Sequence, residues 1–152
     1  MTEAPRVRGV TATLARVGLG GVFLWAGIPK ALDLDGSVAA VAAYRLLPGW
    51  AERAAGLALP WVEIAIGLLL VLGLATRGTG LAAGGLLVLF AAGMASAWAR
   101  GLPIECGCFG EAGPGDGIGW TEMLREAAFL ALALIAVAWS RHGWGVDRWQ
   151  RA

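Results

Sequence analysis

Residues 78–99 read GTGLAAGGLLVLFAAGMASAWA, a stretch without a single formal charge, followed at once by Arg100. The hydrocarbon core of a bilayer is about 30 Å thick and takes roughly 20 apolar helical residues to cross. This stretch has that length, and Trp98 with Arg100 supplies the aromatic and basic side chains that favour the headgroup layer. Three further stretches qualify. Residues 57–75 are apolar except for Glu63 and are flanked by Arg53 and Arg77. Residues 9–29 reach spanning length if Arg16 lies one turn inside the interface and snorkels its stem outward. Residues 120–139 begin with Glu122, Arg125 and Glu126, so lipid exposure is expected mainly over 127–139, with the charged end facing protein or water. The expected fold is an all-α integral membrane four-helix bundle, a single membrane domain over residues 1–152 with loops at 31–55 and 101–119.

Composition agrees with that placement. Of the 152 residues, 58% are hydrophobic and 15% charged, and the mean hydropathy is +0.68. Soluble domains carry about 25% charged residues, so the polar surface missing here points to lipid. Twelve Lys and Arg against eleven Asp and Glu leave a net charge of +1, with the arginines scattered rather than striped, which argues against a nucleic-acid partner. The 24 glycines and 6 prolines fall inside apolar runs, where membrane helices tolerate them better than soluble helices do.

The first apolar run does not read as a cleaved signal, because Pro29, Lys30 and Leu32 follow it where small residues would be needed for processing. Between the first two spans, residues 37–47 (SVAAVAAYRLL) have near-helical apolar spacing and end before Pro48, predicting a short interfacial helix. A plain connecting helix fits the same pattern. Four crossings put both termini on one face. That face takes Arg6, Arg8, Arg16, Arg77, Arg141, Arg148 and Arg151, against Lys30, Arg45, Arg53, Arg100 and Arg125 on the other. The excess favours cytoplasmic termini in the cell membrane and extracytoplasmic loops. Trp25, Trp50, Trp61, Trp98 and Trp120 fall toward the outer face. They read either as an interfacial belt or as the wall of a pocket. Gly20, Gly21 and Gly27 with Phe23 bear a faint likeness to Gly84, Gly85 and Gly93 with Phe90, which close helix packing explains as well as an internal repeat does.

Both cysteines lie in Glu105-Cys106-Gly107-Cys108-Phe109-Gly110, within the second outer loop. In an oxidising compartment two such thiols form or exchange a disulfide. Gly107 leaves the bend unhindered, and a ring closed over one intervening residue is strained, which makes a disulfide easier to reduce. A structural role is weak, since so short a loop contributes almost no loop-closure entropy. Two thiolates also suit Cu(I), whereas zinc would want four ligands and the lone His142 follows the fourth span on the opposite face. Glu63, a carboxylate within a span, demands a partner. Lys30 at the end of the first span is at the right level for one. Their pairing is either a lock between helices or a proton-exchanging site serving the thiols. Arg125, with Glu122 and Glu126, either belongs to the opening turns of a helix or stabilises a thiolate, and Arg100 is placed for the second role as well.

Leu59-Pro60-Trp61-Val62-Glu63 with Gly67 and Leu72-Gly73-Leu74, the helix ending Gly27-Ile28-Pro29-Lys30, and above all the loop Cys106-Gly107-Cys108-Phe109-Gly110 resemble the MauE branch of the DoxX-like membrane proteins. The resemblance runs from about Arg16 to Trp139. It implies a four-helix membrane protein linked with methylamine utilisation, where the family is associated with forming disulfides in the methylamine dehydrogenase small subunit beside a thioredoxin-like partner. By position Cys106 and Cys108 would be the redox pair, and Lys30 and Glu63 match the polar positions of the first two spans. Four-helix disulfide-forming oxidases relay electrons through two cysteine pairs to a quinone, and this chain has one pair. Either that pair reacts directly with a membrane carrier, with Trp61, Trp98 and Trp120 as a candidate quinone pocket, or a separate thiol protein supplies the missing step. The expected activity is thiol-disulfide exchange with a thioredoxin-like protein or a secreted cysteine-containing substrate. The rival readings are a non-catalytic scaffold or assembly factor and a Cu(I)-handling protein.

Overall fold

The computed structural model describes residues 3–104 and 118–139, and all regular elements among them are helices. They are α1 (Glu3–Leu32), α2 (Leu34–Ala43), α3 (Gly49–Leu72), α4 (Thr76–Ala99) and α5 (Trp120–Ala138). Helices α1, α3, α4 and α5 form a bundle in which α1 packs on α3, α3 on α4, α4 on α5 and α5 back on α1, while α2 lies along α3. Three of them, over Val7–Leu32, Gly49–Leu72 and Thr76–Ala99, are long and apolar enough to cross a membrane. Helix α5, 19 residues or about 28 Å long, differs from these by the charges in its first two turns. The outer surface is apolar: Leu14, Leu89 and Leu134 are each more than 65% exposed. Such a surface suits lipid and not water.

Local chemistry explains the breaks. Asp33 separates α1 from α2 alone, its carboxylate accepting from the Gly36 N–H at 2.9 Å as an N-cap. Helix α2 begins before and ends earlier than expected, because Arg45 adopts a left-handed backbone at φ 52°. Pro48 then opens α3, its carbonyl accepting from Ala51 and Glu52. The stretch 31–55, expected as a loop with one short helix in it, holds that helix as α2 and also the first turns of α3. Helix α3 closes on Gly73 at φ 71°, where the Leu74 N–H reaches the Leu69 carbonyl at 3.0 Å and the Gly73 N–H the Leu70 carbonyl at 3.2 Å. These are the paired bonds of a Schellman closure. In α1, the Thr11 and Thr13 hydroxyls donate to the Val7 and Gly9 carbonyls, keeping these polar groups satisfied within the helix.

The core joins α1 (Leu19, Phe23), α3 (Ile66, Leu70), α4 (Ala83, Leu87) and α5 (Ala133). Glycines let α1 and α3 approach closely: a Cβ added at Gly20 would stand 2.9 Å from the Gly67 carbonyl, and one at Gly67 the same distance from the Gly20 carbonyl. Gly80 likewise admits Val137 of α5. Arg16 does not snorkel outward as expected. It is 4% exposed, turned into the bundle as ionisable groups in spans usually are.

Candidate functional site

Glu63 sits near the middle of α3, one turn after Pro60, on the face that meets α1. Opposite it Gly27 has no side chain; a Cβ there would lie 3.0 Å from Glu63 Cβ, Ile64 Cγ1 and the Pro60 carbonyl. The helices thus come together where the carboxylate is. Lys30 follows one turn later on α1, and its Nζ donates to Glu63 Oε1 at 2.7 Å. Lys30 is 5% exposed and Glu63 fully buried. The pairing expected from sequence is therefore made, in a setting where either charge alone would cost several kcal/mol. Glu63 Oε2 is also buried and accepts no hydrogen bond from the described residues. The Lys30 ammonium lies 5.6 Å from the centre of the Phe90 ring of α4, within cation–π range.

Helix α2 roofs this pair. Pro60 has no N–H, so the Gly56 carbonyl four residues earlier lacks its helical donor. The Ser37 hydroxyl of α2 donates to that carbonyl at 2.8 Å, in a buried position. Gly56 has no side chain to keep α2 away; a Cβ there would overlap Val38. At its other end α2 is held by Arg100, whose guanidinium donates to the Tyr44 carbonyl at 2.6 Å and to the Ser96 carbonyl at 3.1 Å. Between α2, α3 and α4, with Lys30 on its wall, lies a cleft of about 410 Å³.

The other residues singled out by sequence are placed as follows. Arg100 ties α4 to the end of α2. Glu122 accepts the Gly119 N–H at 2.9 Å, a cap for α5, and its carboxylate also accepts from the Thr121 hydroxyl at 3.0 Å. Arg125 is half-buried and Glu126 buried on the same helix. Trp61, Trp98 and Trp120 are 57%, 53% and 65% exposed, stand on three different helices, and do not line the cleft. Cys106, Cys108 and His142 lie outside the described residues. The segment carrying the cysteines departs from Ile104 and returns at Ile118, and both pack in one apolar cluster with Met94, Ala97, Leu102 and Met123. Tyr44 joins the same cluster. Among the described residues no group of three or more His, Cys, Asp or Glu side chains gathers to hold a metal.

Sequence reasoning missed Ser37 and Phe90 as parts of this site. Pro60 announces a carbonyl in need of a donor, but the donor comes from a residue 19 positions away from Gly56, which spacing does not reveal.

The family described as methylamine utilisation protein MauE matches residues 8–139. The methylamine utilisation protein MauE of Methylorubrum extorquens is 37% identical over 131 residues, covering 86% of this chain and 69% of that protein. The MauE protein of Paracoccus denitrificans is 35% identical over 120 residues, covering 78% and 64%. That of Methylophilus methylotrophus is 30% identical over 118 residues, covering 77% and 62%. The matched region thus spans about two thirds of the length of these relatives. No solved structure matches the chain. With the family matching from the first helix through the last of a bundle built of apolar, glycine-packed helices, the chain belongs to the MauE family of membrane proteins.

Proposed function

We propose that this protein serves methylamine utilisation as a multi-pass membrane protein that exchanges disulfides through Cys106 and Cys108. The observation that carries the reading is the Cys106-Gly107-Cys108 sequence itself. It lies two residues beyond Ile104, on a segment whose two ends are pinned together at the α2 end of the bundle. A pair separated by one glycine has little to offer as a structural crosslink and much as a reversible one. In the reaction, a thiolate of a partner protein attacks one sulfur of the oxidised pair, forming a mixed disulfide and releasing the other sulfur as a thiolate. The partner's second thiol then attacks the mixed disulfide. The partner leaves with a disulfide, and Cys106 and Cys108 are left as a dithiol holding the two electrons and two protons. A thioredoxin-like protein or a membrane quinone takes those electrons to restore the pair. The substrate is a secreted, cysteine-containing protein of the methylamine dehydrogenase type. The termini face the cytoplasm and the cysteine segment the extracytoplasmic side, as the distribution of basic residues favours.

The test is made in intact cells quenched with acid, with thiols alkylated before and after reduction, and with a membrane-impermeant maleimide in parallel. A pair that is partly oxidised, reached by the impermeant reagent, and needed for disulfide formation in the partner is the expected result. Function undiminished in the Cys106→Ser/Cys108→Ser variant overturns the redox reading and leaves a scaffold. Stoichiometric copper lost in that variant overturns it in favour of Cu(I) handling.

A further inference from the structure

The cleft between α2, α3 and α4, about 410 Å³, falls in the size range of small-molecule sites. Its lining is apolar except for Lys30, Ser37 and Tyr44. The Ser37 hydroxyl is committed to the Gly56 carbonyl. The Lys30 ammonium has three N–H donors, and its bond to Glu63 uses one. Donor capacity therefore remains on a cationic group that forms part of an apolar wall. The charge of that group is already balanced by Glu63, so a neutral acceptor suits it better than an anion, which would have to sit near the carboxylate. Two aromatic rings border the cleft: Phe90, and Tyr44, whose ring edge lies 3.6 Å from where a Gly93 Cβ would be. The absent side chain at Gly93 lets the Tyr44 ring lie close to α4 one turn from Phe90, so the cleft has an aromatic wall against which a flat group can stack. Leu89, which also lines the cleft, is 67% exposed on an apolar flank of α4. The mouth therefore opens toward hydrocarbon.

We infer that this cleft binds a membrane quinone, with one ring carbonyl accepting a hydrogen bond from Lys30 Nζ and the isoprenoid tail leaving past Leu89 into the bilayer. The redox role of such a ligand rests on the thiol-exchange reading: a dithiol oxidised to a disulfide gives up two electrons and two protons, and a quinone that accepts both becomes a quinol. The binding itself does not require the cysteines.

The full chain in phosphatidylcholine nanodiscs is irradiated with a short-tailed azido-ubiquinone, and the labelled peptides are mapped by mass spectrometry. Saturable labelling of α2 and α4 is expected, displaced by unlabelled decylubiquinone. Gly93→Leu and Ala40→Phe, which fill the cleft from opposite walls, are expected to lower labelling at least tenfold while remaining monodisperse. The variant Lys30→Met/Glu63→Leu removes the donor without leaving a lone charge and is expected to weaken competition by decylubiquinone roughly ten- to a hundredfold, the value of a hydrogen bond to a charged group. Cys106→Ser/Cys108→Ser is expected to label as the unaltered chain does, so failure of the thiol reading and failure of this one are seen separately. Labelling that does not saturate, that spreads over exposed positions such as Leu81 and Leu134, or that survives both filling substitutions overturns the inference. So does a cleft that takes a photoreactive acyl chain of phosphatidylcholine and is not cleared of it by decylubiquinone.

Discussion

Removing the Ser37 hydroxyl tests whether a proline in one helix is answered by a side chain from another. In Ser37→Ala the Gly56 carbonyl, buried under α2, keeps no donor, and an orphaned buried acceptor costs about 1–3 kcal/mol. In Pro60→Ala the new alanine N–H can donate to that same carbonyl four residues back, as in any helix turn. Pro60→Ala has its own cost, because the proline ring is fully buried where α3 meets α1. A double-mutant cycle separates that cost from the coupling. Ser37→Ala is expected to lose about 1–3 kcal/mol in the original chain and about 1 kcal/mol less in the Pro60→Ala background. Reversible unfolding in mixed micelles, followed by tryptophan fluorescence, measures all four corners of the cycle. Equal costs of Ser37→Ala in the two backgrounds would refute the reasoning.

Three other outcomes are expected. Lys30→Met or Glu63→Leu alone strands a buried charge and should destabilise the bundle by about 3–5 kcal/mol, whereas both together should cost far less; the same unfolding assay decides, and single variants as stable as the original chain contradict the buried pair at 2.7 Å. Gly67→Ala pushes a methyl to 2.8 Å from Leu24 Cγ and 2.9 Å from the Gly20 carbonyl and should lose about 1–3 kcal/mol, while Gly85→Ala meets nothing within 4 Å and should be neutral or stabilising; a matched pair of thermal melts in detergent compares them. Arg100→Gln loses the 2.6 Å bond to the Tyr44 carbonyl, so amide exchange at residues 44–47 should quicken while exchange in the α1–α3 core stays unchanged, as read by hydrogen-exchange mass spectrometry.

The helices were legible because a membrane imposes long, uncharged stretches, and residues 78–99 announce α4 almost to its ends. The Lys30–Glu63 pair was legible for the same reason: charge in such a stretch must find charge. The start of α3 was harder to see. Arg53 and Glu52 look like loop, yet they lie in a helix that Pro48 opens before the apolar part begins. Arg16 misled in the opposite sense, since charge near a helix end can turn to water or to the bundle, and only packing decides. In the candidate site, the roles of Ser37 and Arg100 are set by backbone carbonyls on other elements, and carbonyl positions leave no trace in a sequence pattern. The cleft is invisible for a like reason. It exists because α3 and α4, joined by a tight turn at Gly73 to Ala75, leave between their far halves a gap that α2, packed along α3, borders.

Ile104 and Ile118 share one apolar cluster, so the described residues on either side of positions 105–117 are fixed to the same mount. Such an arrangement separates change in the intervening thirteen residues from change in the helices that hold their ends. Length and sequence between the two isoleucines are free to vary while the helices beneath keep their register.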